Sequence, residues 1–386
     1  MILTNCPSCA AALPHCSAKQ CSRCKTRYCG LACQEQHWKE GGHGKVCKKI
    51  KRGGGAEQYH TDKKYAEAVA AAVKKCAEDT KGQACYICTE AVHWKTKEGL
   101  VRGCSCRGTA GFAHVSCLAE QAKILLEEAE ENNLDLVPRW ARWHKCSLCE
   151  QLYHGVVRCA LGWACWKTYV GRPEVDLSRR LSMTQLGNGL SAAYHHDDEV
   201  REAELSMERR LDASKHNILT AQGNLANLYR KLGRHEAALC MRQEVYSGRL
   251  KLNGEEDSET LRAANNYALS LCYLQRFEEA KLLLRKMIPV APRVLGESDE
   301  LTLKINWNYA RAIYKDDGAT LDDLREAENT LEDTERTARC VLGGAHPTIA
   351  GIEAALRDSR AALRAREESA VGSICKAVKA MTPGGA

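Results

Sequence analysis

Sixteen side chains between Cys6 and Cys149 are of the types, and at the spacings, that hold a metal ion: fourteen of the chain's 22 cysteines and two histidines. The first array reads Cys6-x2-Cys9, Cys21-x2-Cys24, Cys29-x3-Cys33 and His43-x3-Cys47. The second reads Cys85-x2-Cys88, Cys104-x-Cys106, His114-x2-Cys117 and Cys146-x2-Cys149. Two ligands separated by a few residues can reach one ion from a single turn, and thiolate with imidazole is the set that zinc favours. One such pair would say little. Eight in succession, none missing its second member, specify four Zn2+ ions with every coordination place filled by protein. A filled tetrahedron leaves no place for a catalytic water, so the metal is expected to be structural and no catalytic residue is assigned.

Disulfides are the competing use of so many cysteines. The start of the chain offers only a few apolar residues broken by Cys6 and Pro7, which is no secretory signal, and no uncharged apolar run approaches the roughly 20 residues that span a bilayer. A reducing, intracellular compartment is therefore expected, cytoplasm or nucleus, with no membrane partner. The formal net charge of +7 points toward nucleic acid only while the cysteines are counted as neutral. Two ions held by four thiolates and two held by three thiolates and an imidazole contribute about −6 together, which brings the loaded chain near neutrality. Nucleic acid is accordingly not expected as a partner. One basic patch survives: residues 1–52 carry ten Lys or Arg against two Glu, and Lys45, Lys48, Lys49, Lys51 and Arg52 close the first array. It reads either as a solvated edge or as a contact for an anionic partner.

The elements that must position these ligands are legible as shifts in composition. Gly53-Gly54-Gly55 ends the first array, and Tyr59 to Cys76 reads as an alanine-rich helix bridging to the second. The 28 residues between Cys117 and Cys146 are too many for a plain loop. Leu118, Ala122, Leu125 and Leu126 follow a 3.6 period there, predicting a helix over 115–131 that Asn132-Asn133 and Pro138 end. A second helix is predicted over 156–170, with Cys159 and Cys165 six apart and therefore packing residues. Cys76, Cys240, Cys272 and Cys340 are likewise read as single core residues.

Beyond about Leu186 the chain repeats itself. Asn224, Asn266 and Asn308 are 42 apart, as are Ala226, Ala268 and Ala310; Ala238 with Ala280, and Gly254 with Gly296, keep the same interval. Gly343 follows Gly296 by 47, which places an insertion of about five residues within 315–323. Each unit is two amphipathic helices with small residues where they approach. Such units bury their apolar faces only by stacking into a solenoid, closed here by a charged helix over 348–381.

Three resemblances follow from these residues. CSRC at Cys21–Cys24, YCGLACQ at Tyr28–Gln34, His37-Trp38 and HGKVC at His43–Cys47 resemble a MYND finger. That resemblance implies Cys6, Cys9, Cys29 and Cys33 on one zinc and Cys21, Cys24, His43 and Cys47 on the other, with Cys16, His15 and His37 left over. It also implies a groove for short proline-rich peptides that includes Gln34 and Trp38; the indole could equally cover the zinc core. The second array, with its CxIC opening at Cys85–Cys88, the RGTAGFAH run to His114 and the closing CSLC, resembles a RING-CH finger. This implies Cys85, Cys88, His114 and Cys117 on one zinc and Cys104, Cys106, Cys146 and Cys149 on the other. It implies further that Ile87 contacts a ubiquitin-conjugating enzyme beside a downstream Trp, for which this chain has Gln121, with Trp140 and Trp143 later in the insertion. The repeats resemble tetratricopeptide units of the kinesin-light-chain type, whose groove receives peptides and makes Asn224, Asn266 and Asn308 candidate peptide contacts; the same asparagines could serve the helix junctions alone.

The expected architecture is two small zinc-stabilised fingers, each a cross-braced two-zinc module, followed by an all-α solenoid of tetratricopeptide type. The expected domains are a MYND-type finger over 1–52, a helical linker over 53–84, a RING-CH-like finger with its helical insertion and C-terminal helix over 85–172, about four repeats over 184–350, and a capping helix with a tail over 351–386. The expected function is a non-enzymatic adaptor that grips peptides through several modules; the alternative is a RING-type ubiquitin ligase that selects substrate through the repeats or the first finger. A SET-type methyltransferase is excluded, because the chain has no Asn-His cofactor motif and almost no unassigned length. His195-His196-Asp197-Asp198 reads as a solvated turn rather than a metal site.

Overall fold

A computed structural model describes residues 5–11, 13, 18–194, 198–342 and 347–381, in two units, Met1–Ala213 and Ser214–Ala386. His15, Cys16, His195 to Asp197 and the Gly343–Ala345–His346 link lie outside the described residues. The first unit opens with a short antiparallel pair, β1 (Lys19–Gln20) and β2 (Arg27–Tyr28), with Lys19 opposite Tyr28. Helices α1 (Leu31–Lys39), α2 (His43–Arg52) and α3 (Ala56–Cys76) follow. Then come α4 (Val115–Glu131), α5 (Leu136–Trp140), a 3-10 turn at Ala141–Trp143, α6 (Gly155–Tyr169), α7 (Leu177–Ala192) and α8 (Asp198–Arg210). The predicted insertion helix is α4, and its buried Leu118, Ala122 and Leu126 are the stripe the periodicity marks. No helix among the described residues is long and apolar enough to cross a membrane.

The fingers have little apolar core of their own. Among the described residues, buried Tyr28, Ile50, Ala56 and Leu13 join the cysteines of the first array, with Ala18 and Tyr59 packed against them. The second is better covered: Val69, Ala72 and Cys76 of α3, Leu126 of α4 and Val157, Leu161 and Tyr169 of α6 close over Leu100, Val101 and Phe112. Trp140 and Trp143 are buried there, their rings 5.8 and 5.9 Å from that of Tyr169. Cys159 and Cys165 pack as expected, and burial pushes the Cys159 thiol up to about 11.

The helix pair α7 and α8 departs from the expected layout, in which the repeats began at 184. It belongs to the first unit because α7 lies against α6 at backbone distance. A Cβ on Gly189 would stand 2.7 Å from the carbonyl oxygen of Arg158, and one on Gly162 3.0 Å from that of Gln185. Arg201 of α8 completes the seam, paired with Glu204 at 2.6 Å and donating to Asn188 Oδ1 at 2.7 Å.

The described residues of the second unit form helices joined by turns: α9 (Lys215–Lys231), α10 (His235–Asn253), α11 (Ser258–Tyr273), α12 (Phe277–Met287), α13 (Ala291–Leu295), α14 (Glu300–Tyr314), α15 (Leu321–Leu342) and α16 (Pro347–Met381). First helices of each pair are capped by Ser214, Asp257 and Asp299, whose side chains accept from Asn217, Thr260 and Leu301 N–H groups. The 42-residue alanines Ala226, Ala268 and Ala310 are fully buried, as are Ala238 and Ala280, since a larger side chain would hold the paired helices apart. The insertion forms the turn between α14 and α15. Cys272 is buried, but Cys240 and Cys340 are exposed, which corrects their reading as core residues: each lies on the outer face of a second helix.

Gly189→Ala is expected to cost about 1–3 kcal/mol in urea unfolding followed by circular dichroism, because the backbone of α6 must retreat. Gly223→Ala, where an added Cβ meets nothing within 4 Å, is expected to be neutral or slightly stabilising.

Candidate metal centres

One backbone device is repeated at the four CxxC pairs. In each, the residue after the second cysteine takes a positive φ: Ala10 at 59°, Lys25 at 63°, Thr89 at 64° and Glu150 at 54°. Its N–H donates to the carbonyl of the first cysteine, at 2.9, 2.9, 2.8 and 3.0 Å respectively. The N–H of that first cysteine in turn reaches the carbonyl of the following residue: Ala11, Thr26, Glu90 or Gln151. The closed turn aims both thiols to one side and turns N–H groups toward sulfur; Ile87 N and Leu148 N each lie 3.4 Å from the sulfur of Cys85 and Cys146.

These turns meet four tetrads: Cys6, Cys9, Cys29 and Cys33; Cys21, Cys24, His43 and Cys47; Cys85, Cys88, His114 and Cys117; Cys104, Cys106, Cys146 and Cys149. Within each, one ligand atom per residue lies within 4.8 Å of all the others, so each group could hold a metal ion. In both arrays the first pair joins the third and the second joins the fourth, so each finger is braced across its own chain. The spacings suit a tetrahedral ion. An ion held about 2.3 Å from each sulfur sets neighbouring sulfurs about 3.8 Å apart, and Cys9–Cys29, Cys29–Cys33, Cys21–Cys47 and Cys106–Cys146 stand at 3.5, 3.5, 3.8 and 3.8 Å.

The two histidines present different nitrogens. Nε2 of His43 lies 3.4 Å from the Cys24 sulfur, whereas Nδ1 of His114 lies 3.4 and 3.6 Å from Cys88 and Cys117. His37 is outside the tetrad, its Nδ1 3.1 Å from the Tyr28 hydroxyl. Glu98 secures the His114–Cys117 segment, accepting from Ser116 N at 2.7 Å and Ser116 Oγ at 2.6 Å where α4 begins. Gly111 has φ 82°, and a Cβ there would lie 2.7 Å from Cys106 Cβ and 3.1 Å from Cys104 Sγ, so the RGTAGFAH run has no room for a side chain at this point.

Charge within the tetrads shows why a cation is needed. Burial opposes ionisation of Cys6, but N–H groups of Cys29, Cys9 and Ser8 outweigh it and hold this thiol down at about 6. In the same tetrad, hydrogen bonding with Cys33, Cys9 and Cys6 pushes Cys29 up to about 12. Burial, then Cys21 and Cys24, push Cys47 to about 12 as well. Each group thus accepts one negative charge readily and resists the next until a positive ion is present.

Candidate partner residues are distributed unevenly. Trp38 is 43% exposed and lies beside Gly44, while Gln34 is half-buried with an unpartnered Oε1. Ile87 is exposed at the mouth of a groove of about 950 Å³ lined also by Trp94, Gln121, Ile124 and Leu125. Trp94 is the residue the sequence reading missed. It stands 68% exposed on a fifth turn of the same form, in which Lys97 has φ 59° and donates to the His93 carbonyl at 2.9 Å. There Thr96 replaces the second ligand and its Oγ1 lies 2.8 Å from His93 Nδ1. A His-x2-Thr pair inside a cysteine array was the available signal. Trp140 and Trp143, being buried, are withdrawn from that face. Asn224 and Asn266 are half-buried, but Asn308 is only 8% exposed and donates to Asn265 Oδ1 at 2.8 Å. Its amide is committed to a contact between repeats.

A family model of the RING-variant domain matches residues 85–149, and one of the tetratricopeptide repeat matches 217–293. No curated protein matches the chain. Similar solved structures include kinesin light chain TPR-like repeats from Podosopora anserina, 20% identical with TM-score 0.40, over 58% of this chain and 96% of that one. A second structure of those repeats has 20% identity and TM-score 0.39, over 58% and 97%. BtubC (BKLC) from P. vanneervenii has 13% identity and TM-score 0.41, over 70% and 93%. The chain thus carries a RING-variant domain and tetratricopeptide repeats, both of kinds generally engaged in protein–protein interaction.

Native mass spectrometry is expected to find four divalent ions per chain, a count that Cys149→Ser reduces to three and Cys240→Ser leaves alone. Two or fewer ions in the unaltered chain would contradict the paired tetrads.

Proposed function

We propose that the chain is an intracellular ubiquitin ligase of RING type, built on four structural zinc ions, which holds its targets through the repeats or the first finger. Zinc is the ion favoured by tetrads of three or four thiolates at tetrahedral spacing. A finger of this kind has no catalytic group of its own; it grips a charged conjugating enzyme and leaves the thioester chemistry to that partner. The observation that carries the reading is Ile87, presented on the Cys85–Cys88 turn beside exposed Trp94 and an apolar groove. The indole that RING-CH fingers place on the helix after the third ligand pair is absent at Gln121. Trp94 offers the same aromatic surface from the neighbouring turn.

The first finger is read as a MYND-type peptide module, with exposed Trp38 and half-buried Gln34 as its contacts, although the Gln34 Oε1 is itself buried. That feature also favours the second reading, a non-enzymatic adaptor in which every module only binds. Autoubiquitination with a panel of conjugating enzymes separates them. Chain formation is expected with at least one enzyme and should fall about tenfold or more in Ile87→Ala and in Trp94→Ala, with zinc content unchanged. Absence of transfer with every enzyme leaves the adaptor.

A further inference from the structure

Two arginines of the repeats, Arg230 and Arg311, stand over the ring of Tyr273, and a third, Arg242, reaches the same helix at Ser270; none is paired with a carboxylate among the described residues. Arg230 of α9 has its guanidinium carbon 5.4 Å from the ring centroid and donates from Nη1 to the Tyr273 hydroxyl at 3.4 Å. Arg311 of α14 stands 5.3 Å from the same centroid. His235, at the start of α10, stacks on the ring with centroids 5.3 Å apart and planes 7° apart. The third arginine, Arg242, is 3% exposed and donates only to neutral oxygens: the Asn266 carbonyl at 2.6 Å, Ser270 Oγ at 2.9 Å and Asn227 Oδ1 at 2.7 Å. Nε of Arg230 and Nε of Arg242 are both buried without a partner. Burial, and then the charge of Arg230, hold the Arg242 guanidinium down at about 10.

Several other arginines of the unit are paired with carboxylates, whereas Arg285 and Arg366 donate to the Tyr309 hydroxyl and to the Ala319 and Asp317 carbonyls. Arg276 pairs with Glu279 at 2.6 Å, Arg339 with Glu335 at 2.8 Å and Arg360 with Glu328 at 2.8 Å, even though those sites are more exposed and need a partner less. Buried charge without a counterion is costly. A cluster that tolerates it presents a place for an anion from outside. Tyr273 is 38% exposed, so the place can be reached. It lies on α11, between contributions from α9 and α14, the first helices of three successive pairs, so a ligand there spans the repeats rather than one unit.

We propose that Arg230, Arg311 and Tyr273 form a binding site for the phosphoryl group of a phosphorylated peptide, with Arg242 supplying buried positive charge. Two or three guanidiniums call for more than one negative charge. A phosphomonoester brings nearly two, with three acceptor oxygens that match the guanidinium fork and the tyrosine hydroxyl; a carboxylate brings one charge and two oxygens. The proposal rests on reading the repeats as the peptide-selecting part, and it narrows that reading to targets marked by phosphorylation.

The test is calorimetric titration of the full chain with phenyl phosphate and, at matched ionic strength, with benzoate. Phenyl phosphate is expected to bind about tenfold more tightly than benzoate. Arg230→Gln and Arg311→Gln should each weaken it about fivefold or more, Arg311→Lys should restore part of the loss, and helical circular dichroism should stay unchanged. Equal binding of benzoate would make the site one for acidic peptides and overturn the proposal, as would no binding, or binding that the arginine variants leave intact. Ubiquitin transfer is scored separately, so a chain that binds phenyl phosphate but transfers nothing counts against the ligase reading alone.

Discussion

Thiols crowded at 3.5–3.8 Å cannot all ionise without a cation among them, and the first unit is arranged around that constraint. Four closed turns aim sulfur inward, N–H groups turn toward it, and two histidines complete tetrads that draw ligands from both ends of each finger. The first finger adds few apolar side chains to its cysteines, so the cross-brace takes the place of a core. Exposed apolar side chains then follow from the same turns. Ile87 projects from one of them, Leu148 from another, and Trp94 from a fifth that keeps the turn without a second ligand.

Local chemistry was legible in the sequence and long-range packing was not. The spacing of ligands is a property of single turns, and the pairing of turns came from resemblance; the structure brings together the same groups of four. Helices α4 and α6, and the turn that absorbs the extra residues after α14, were equally readable because a 3.6 period or a broken 42-residue interval marks them. The attachment of α7 to α6 was hidden, since it depends on Gly162 and Gly189 facing one another across two helices. Asn308 left two readings open, a peptide contact or a helix junction, and its bond to Asn265 of the preceding repeat supports the junction. Trp94 is marked only weakly, by a His-x2-Thr pair in which threonine stands where a second metal ligand would be.

The repeats obey a different balance. Their alanine ladder sets helix spacing and their Ser and Asp caps set helix starts, so stability there is spread over many small contacts between neighbouring units. Charge is often settled by local pairs; Arg230, Arg242 and Arg311 have no carboxylate partner among the described residues and converge on the helix that carries Tyr273. The two units are therefore built differently: the fingers of one on tetrads that could hold metal ions, the other on stacked helices.

That division is tested most directly by hydrogen exchange, resolved by peptide, before and after removal of metal with a strong chelator. Amides across residues 18 to about 170 should lose their protection while those of 214–342 keep theirs, and added zinc should restore the first set. Protection that survives chelation throughout the first unit, or that collapses equally in both, would contradict the claim that ions hold the fingers together.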